Sequence, residues 1–289
     1  MKKKLLLSLL IAGGVLTSTT IANASPLHKN DLSQQKKSTV KYENSKEFDH
    51  INQMQEKILE TGAKLVSSKD VYLRIPENAD KDKQSIKQFT KSEYENEMIK
   101  ENLNNTFTSF VSIPDKIGAK KDEFNKYNWI KLSIQVFRER GGQYSATGFY
   151  EWKHKPNVVG GTEILSITGS GVSFDFDRSY LEVHTPDIGS EGEKVSVYSS
   201  SNSNFTQSPS GVAFEFELNN TRLSGTKPYG MITTHISSQA SSANLVLSYA
   251  HQQLPNPVSP TISLGPTGLS LDFTKYAYDN ATTGIQLNF

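Results

Sequence analysis

The sequence has 289 residues, 31 Lys and Arg against 30 Asp and Glu, a formal net charge of +1 and no cysteine. A balance this close to zero gives no electrostatic basis for binding nucleic acid or an anionic lipid surface. Without cysteine there can be neither disulfide staples nor a lipid-bearing cysteine anchor, so an apolar core must hold the fold by itself.

The first residues read as an export signal. Lys2, Lys3 and Lys4 precede an apolar run from Leu5 to Leu16, which is shorter than the ~20 residues of a membrane-spanning helix. Ala22-Asn23-Ala24 then supplies the small-x-small pattern that signal peptidase reads. The expectation is a signal peptide over 1–24, cleaved between Ala24 and Ser25, and a secreted product with no integral membrane segment. Export without disulfides points to a bacterial source. Leu254-Pro255-Asn256-Pro257 begins like a sortase signal but lacks its Thr-Gly ending and a following apolar tail, so covalent surface display is not expected.

Residues 25–43 are polar and rich in Lys, Gln and Ser, the composition of a flexible leader. Residues 44–127 read as a charged helical segment. Phe48, Ile51, Met54, Ile58, Leu59 and Leu65 recur at helical spacing, with Asn44 and Glu47 as an N-cap pair and Gly62 as a stop. A short extended piece, Val71 to Ile75, ends at Pro76. Ser92-Glu93-Tyr94-Glu95 has the form of a capping box opening a second helix with Tyr94, Met98, Ile99 and Leu103 on one stripe. Charge thins sharply near Lys126, where a boundary is expected.

From Asn128 the period becomes two. Trp129–Arg138 alternates, and Gly141-Gly142 turns it into Tyr144–Lys153, a hairpin. Further strands are expected at 164–168, 172–177, 181–184, 194–198, 212–218, 231–236, 244–251, 269–273 and 284–289, with 199–210 as a long mobile loop. The predicted fold class is α+β: an antiparallel β-sandwich over 128–289 preceded by the charged helical segment. The run Tyr144-Ser-Ala-Thr-Gly-Phe-Tyr-Glu-Trp152, the strand Glu163–Thr168 and the strand Gly211–Leu218 resemble a loose group of secreted, β-rich proteins of Gram-positive bacteria without an assigned activity. That resemblance implies location and fold type and carries over no site residues.

Candidate chemistry is sparse. Asp175 and Asp177 project to one side of their strand, as do Glu215 and Glu217 of theirs. If those strands were neighbours, four carboxylates would suit Ca²⁺ or an acid/base couple for glycan hydrolysis; otherwise they are the wet face of half-buried strands. No other cofactor is implied. Trp129, Tyr150 and Trp152, with Tyr180, Tyr198 and Tyr229, would stack on sugar rings if exposed. His154, His184, His235 and His251 lack zinc-site spacing, and no nucleophile elbow or phosphate loop is present. The leading expectation is a non-enzymatic extracellular or cell-surface binding protein with a cell-wall or extracellular glycan as partner. The alternatives are a glycan-active or calcium-dependent enzyme, and a secreted β-pore-forming toxin, although 194–210 lacks the apolar alternation of an insertion hairpin. Ile285, Leu287 and Phe289 alternate like the closing strand of an outer-membrane barrel, but the charged front part has no place in one.

Overall fold

A computed structural model describes residues 49–76, 86–109, 127–153, 161–186, 193–218, 227–252, 261–272 and 278–289. The expected cleavage site at Ala22, Ala24 and Ser25, the leader and the Asn44–Glu47 cap pair lie outside these residues. The apolar stripe near position 50 forms α1 (His50–Glu60), which buries Ile51 and Met54. Asp49 caps it, its carboxylate accepting the Asn52 N–H at 3.2 Å. Gly62, with φ of 89°, stops it as expected.

The rest of the front part departs from the helical reading. Leu65 belongs not to the helix but to β1 (Lys64–Pro76), a 13-residue strand. After the short β2 (Lys87–Phe89), α2 (Lys91–Ser109) opens two residues earlier than Ser92 implied. Thr90 is its cap: its hydroxyl accepts the Glu93 N–H at 3.3 Å, and the Glu93 carboxylate accepts the Thr90 N–H at 2.7 Å. These bonds hold the Glu93 carboxyl below its usual range.

The remaining elements are β3 (Tyr127–Arg138), β4 (Tyr144–Trp152), β5 (Thr162–Pro186), β6 (Glu193–Ser199), β7 (Phe205–Ser208), β8 (Gly211–Glu217), β9 (Tyr229–Gln252), β10 (Thr261–Gly265), β11 (Gly268–Asp272) and β12 (Tyr278–Asn288). The β3–β4 hairpin turns at Gly142, whose positive φ of 82° suits glycine. Three expected strands merge into β5, and two merge into β9. Part of the expected mobile loop 199–210 is β7.

Ten strands form one antiparallel sheet in the order β2-β1-β3-β4-β9-β5-β8-β7, with β12 on β9 and β6 on β5. This is an open sheet rather than the two separate sheets of the expected sandwich. Its spine is the pair β5–β9. Residues 229–236 of β9 pair with β4 and residues 242–252 with β12, both away from β5. Residues 162–168 of β5 pair with β8 and residues 180–186 with β6. Between those halves the register slips three times, from Ser170 to Tyr180. The main core draws on both halves, with Ile130 and Leu132 of β3, Leu181 of β5, Phe214 of β8 and Leu247 of β9 buried together. β10 and β11 form a separate hairpin, packed by Leu269 on Ile164, Ala213 and Ala250.

β1 pairs with β3 from Lys64↔Arg138 to Pro76↔Tyr127, so the thinning of charge near Lys126 falls inside the sheet. All described residues belong to one compact unit, Phe48–Phe289. Among the described residues, no helix is long and apolar enough to cross a membrane.

Candidate functional site

Glu215 and Glu217 come to a cleft between β6 and β8. On β8 they alternate with Phe214 and Phe216, which are buried, so both carboxylates project the other way. β6, paired with the other half of β5 along the same edge, meets them there. Its Lys194, Ser196 and Tyr198 line the cleft, while Val195 and Val197 face outward, 48% and 65% exposed. Thr162, Asn204 and Phe216 complete a cavity of about 360 Å³.

A serine- and asparagine-rich turn holds this geometry. The Asn202 carboxamide oxygen accepts the Ser199 N–H at 2.6 Å, and the Asn202 N–H donates to the Ser199 carbonyl at 3.0 Å. Two residues on, the Asn204 side chain donates to the Glu215 carbonyl, and the Glu215 N–H donates to the Asn204 carbonyl at 2.9 Å. What read as a mobile polar stretch is thus a bracket between β6 and β8. Burial pushes the Glu215 carboxyl above its usual range. Burial, reinforced by the Glu217 charge, pushes the Tyr198 phenol up, so it stays a hydrogen-bond donor at neutral pH.

The other acidic pair does not join them. Asp175 is opposite His235 of β9, and Asp177 stands exposed in the slipped stretch, whereas β8 pairs with β5 only as far as Thr168. Arg178 reaches Glu139 at 3.5 Å rather than balancing either aspartate. Among the described residues, no three His, Cys, Asp or Glu side chains are grouped to hold a metal ion.

Trp129, Tyr150 and Trp152 are 1%, 0% and 0% exposed and offer no face to a sugar. At Trp129, Tyr150 and Trp152 both faces of β3 and β4 are covered, so alternation leaves none of the three wet. Trp129 packs with Tyr72 of β1 and Tyr94 of α2. Tyr150 stacks on Tyr249 in the core. The Trp152 indole N–H donates to the Tyr249 hydroxyl at 2.9 Å, and that hydroxyl donates to Glu163 at 2.6 Å. His251 Nδ1 lies 2.8 Å from the same carboxylate.

A second polar assembly fastens α1. Tyr229 of β9 is stacked between His50 of α1, at 4.0 Å between ring centroids, and His184 of β5, at 4.6 Å. His184 Nδ1 bonds Glu193 at 2.8 Å and its Nε2 bonds Glu182. Carboxylates only accept, so both ring nitrogens donate and the ring is an imidazolium. Burial opposes that charge, but the two carboxylates outweigh it and raise the His184 pKa. Lys131, almost wholly buried, bonds Asp49 at 2.9 Å and Asp70 at 3.3 Å.

No protein-family model and no curated protein sequence matches the chain. Among solved structures, that of Gaeumannomyces graminis manganese lipoxygenase with partial zonadhesin of Komagataella pastoris aligns at 7% identity and a TM-score of 0.30, over 56% of this chain and 61% of that one. Clostridium perfringens delta-toxin aligns at 8% and 0.25, over 57% and 86%. The collagen-binding domain of Erysipelothrix rhusiopathiae surface protein RspB aligns at 8% and 0.25, over 56% and 66%. The chain thus spans about three-fifths of the first of these. Scores this low assign the chain neither a shared fold nor an activity.

Proposed function

We propose that this chain is a secreted binding protein that takes a glycan of the cell wall or extracellular space in the cleft between β6 and β8. One observation carries the reading: Tyr198 shares a cavity of about 360 Å³ with Glu215, Glu217, Lys194 and two hydroxyl side chains. Sugars are recognised by stacking on a ring while carboxylates accept their hydroxyl protons and polar side chains return hydrogen bonds. Tyr198 takes the part that the buried tryptophans cannot.

Retention on purified wall polysaccharide tests this. Wild type binds, and Tyr198→Ala and Glu217→Gln each weaken binding at least tenfold with an unchanged melting temperature. No retention on any polysaccharide fraction, or retention unaffected by both substitutions, contradicts the reading.

A second reading rests on the raised Glu215 carboxyl beside Glu217, a pairing that suits acid/base hydrolysis of a glycosidic bond. New reducing ends on incubation with bound polysaccharide, lost in Glu215→Gln, would make the protein an enzyme; an unchanged polysaccharide leaves it a binder. The outward Val195 and Val197 of β6 give a membrane-active reading a foothold. Dye release from liposomes that Val195→Ser/Val197→Ser abolishes would replace the glycan reading with that one.

A further inference from the structure

A second cleft, also about 360 Å³, opens on the outer face of β4 and β9 beyond the C-terminal end of α1. Its chemistry is unlike that of the first. Hydroxyls converge on it: Ser145 and Thr147 from β4, Tyr180 from β5 and Thr233 from β9. The Thr147 and Thr233 hydroxyls hydrogen-bond each other at 3.2 Å, and Tyr180 bonds Thr233. At the rim stand Glu139, Arg140 and His235.

The charges there are unequally engaged. Glu139 is answered twice, by His235 at 2.7 Å and Arg178 at 3.5 Å. Arg140 has no ion pair or hydrogen bond among the described residues. Its guanidinium nevertheless has a defined seat over Gly62, where any Cβ would overlap it. Gly62 therefore serves twice, ending α1 with a positive φ of 89° and leaving room for the arginine.

We infer that this cleft is a binding site for a small hydroxylated anion, whose carboxylate or phosphate group is taken by Arg140 and whose hydroxyls meet Ser145, Thr147, Thr233 and Tyr180. A guanidinium presents a planar fork that matches two oxygens of either group. The Glu139 carboxylate is engaged by Arg178 and His235 rather than by Arg140. A volume of about 360 Å³ accommodates one sugar-sized unit carrying such a group.

Calorimetric titration of the full chain with glucuronate, glucose 1-phosphate and glucose at low salt tests the inference and separates the two anion sources. At least one of the two anions binds, at least tenfold more tightly than glucose. Arg140→Gln removes that preference, Arg140→Lys keeps part of it, and Tyr198→Ala leaves it intact because the other cleft is not involved. Arg140 is exposed, so its variants fold, and equal melting temperatures confirm it. Equal affinity for glucuronate, glucose 1-phosphate and glucose, no binding of either anion, or an anion preference untouched by Arg140→Gln overturns the inference.

Discussion

At the scale of single residues, the buried acid Glu163 does more for the fold than any carboxylate that stood out in the sequence. It accepts from Tyr249 and lies within hydrogen-bonding distance of His251, and through Tyr249 it orders Trp152. All four side chains are closed off from water. Removing the carboxylate leaves a phenol and an imidazole unanswered in the core. Glu163→Ala should therefore lose about 3 kcal/mol, and Tyr249→Phe about 1–2 kcal/mol, since it deletes one hydroxyl but leaves the acid with His251. Urea denaturation of the two variants checks the order, and a smaller loss for Glu163→Ala would contradict it. None of this was legible in sequence. Glu163 and His251 are 88 residues apart and meet only because β5 and β9 pair. Trp152 looked like half of a sugar platform because alternation along one strand does not tell whether a second layer covers it.

At the scale of elements, α1 shows how a short amphipathic helix is held by polar contacts as well as by its apolar stripe. Ile51 and Met54 pack on Phe149, Tyr229 and Met231, while Asp49 and His50 reach Lys131 and the Tyr229–His184 stack. The pH dependence of this clamp follows from its groups. The folded-state pKa of His184 is raised, so its contribution is complete below the ordinary imidazole value of 6.5 and disappears as pH rises through the folded value. Glu182 is lowered by its bond to His184; Glu193, though burial opposes it, is lowered by bonds from Tyr229 and His184. Their contributions exist above the carboxylate range and vanish in acid. The stability lost in His184→Gln should thus be larger near about pH 5.5 than near about pH 9. Chemical denaturation at the two pH values measures it; a gap that widens in alkali would refute the imidazolium. The existence of α1 was readable from its stripe, and its stop from Gly62. The start of α2 was misplaced because Ser92-x-x-Glu95 and Thr90-x-x-Glu93 both satisfy the capping pattern, and only tertiary placement chooses between them.

At the scale of the whole molecule, period-two patterning was sufficient to expose most strands and insufficient to join them. Turn-like residues such as Gly169, Ser170 and Gly171 in β5, or Ser237 to Ser242 in β9, read as breaks between strands. Because β5 and β9 deviate opposite each other, slipping register rather than separating, both run on as single strands and carry different neighbours on their two halves. This arrangement brings β6 and β8, bound to opposite halves of β5, to the walls of one cleft. The sequence offered Glu215 and Glu217 for that site. Tyr198 was one aromatic among several and Asn204 carried no local signal, because the bracket from Ser199 to Asn204 depends on contacts with β8 that no local pattern announces.

On the proposed reading, the cleft between β6 and β8 receives the ligand. Hydrogen–deuterium exchange with and without saturating oligosaccharides from purified cell wall tests it most directly. Slowed exchange is expected, confined to β6, the turn from Ser199 to Asn204 and the end of β8, and lost in Tyr198→Ala. Protection centred on any other part of the sheet, or none while the oligosaccharide is bound, would contradict it.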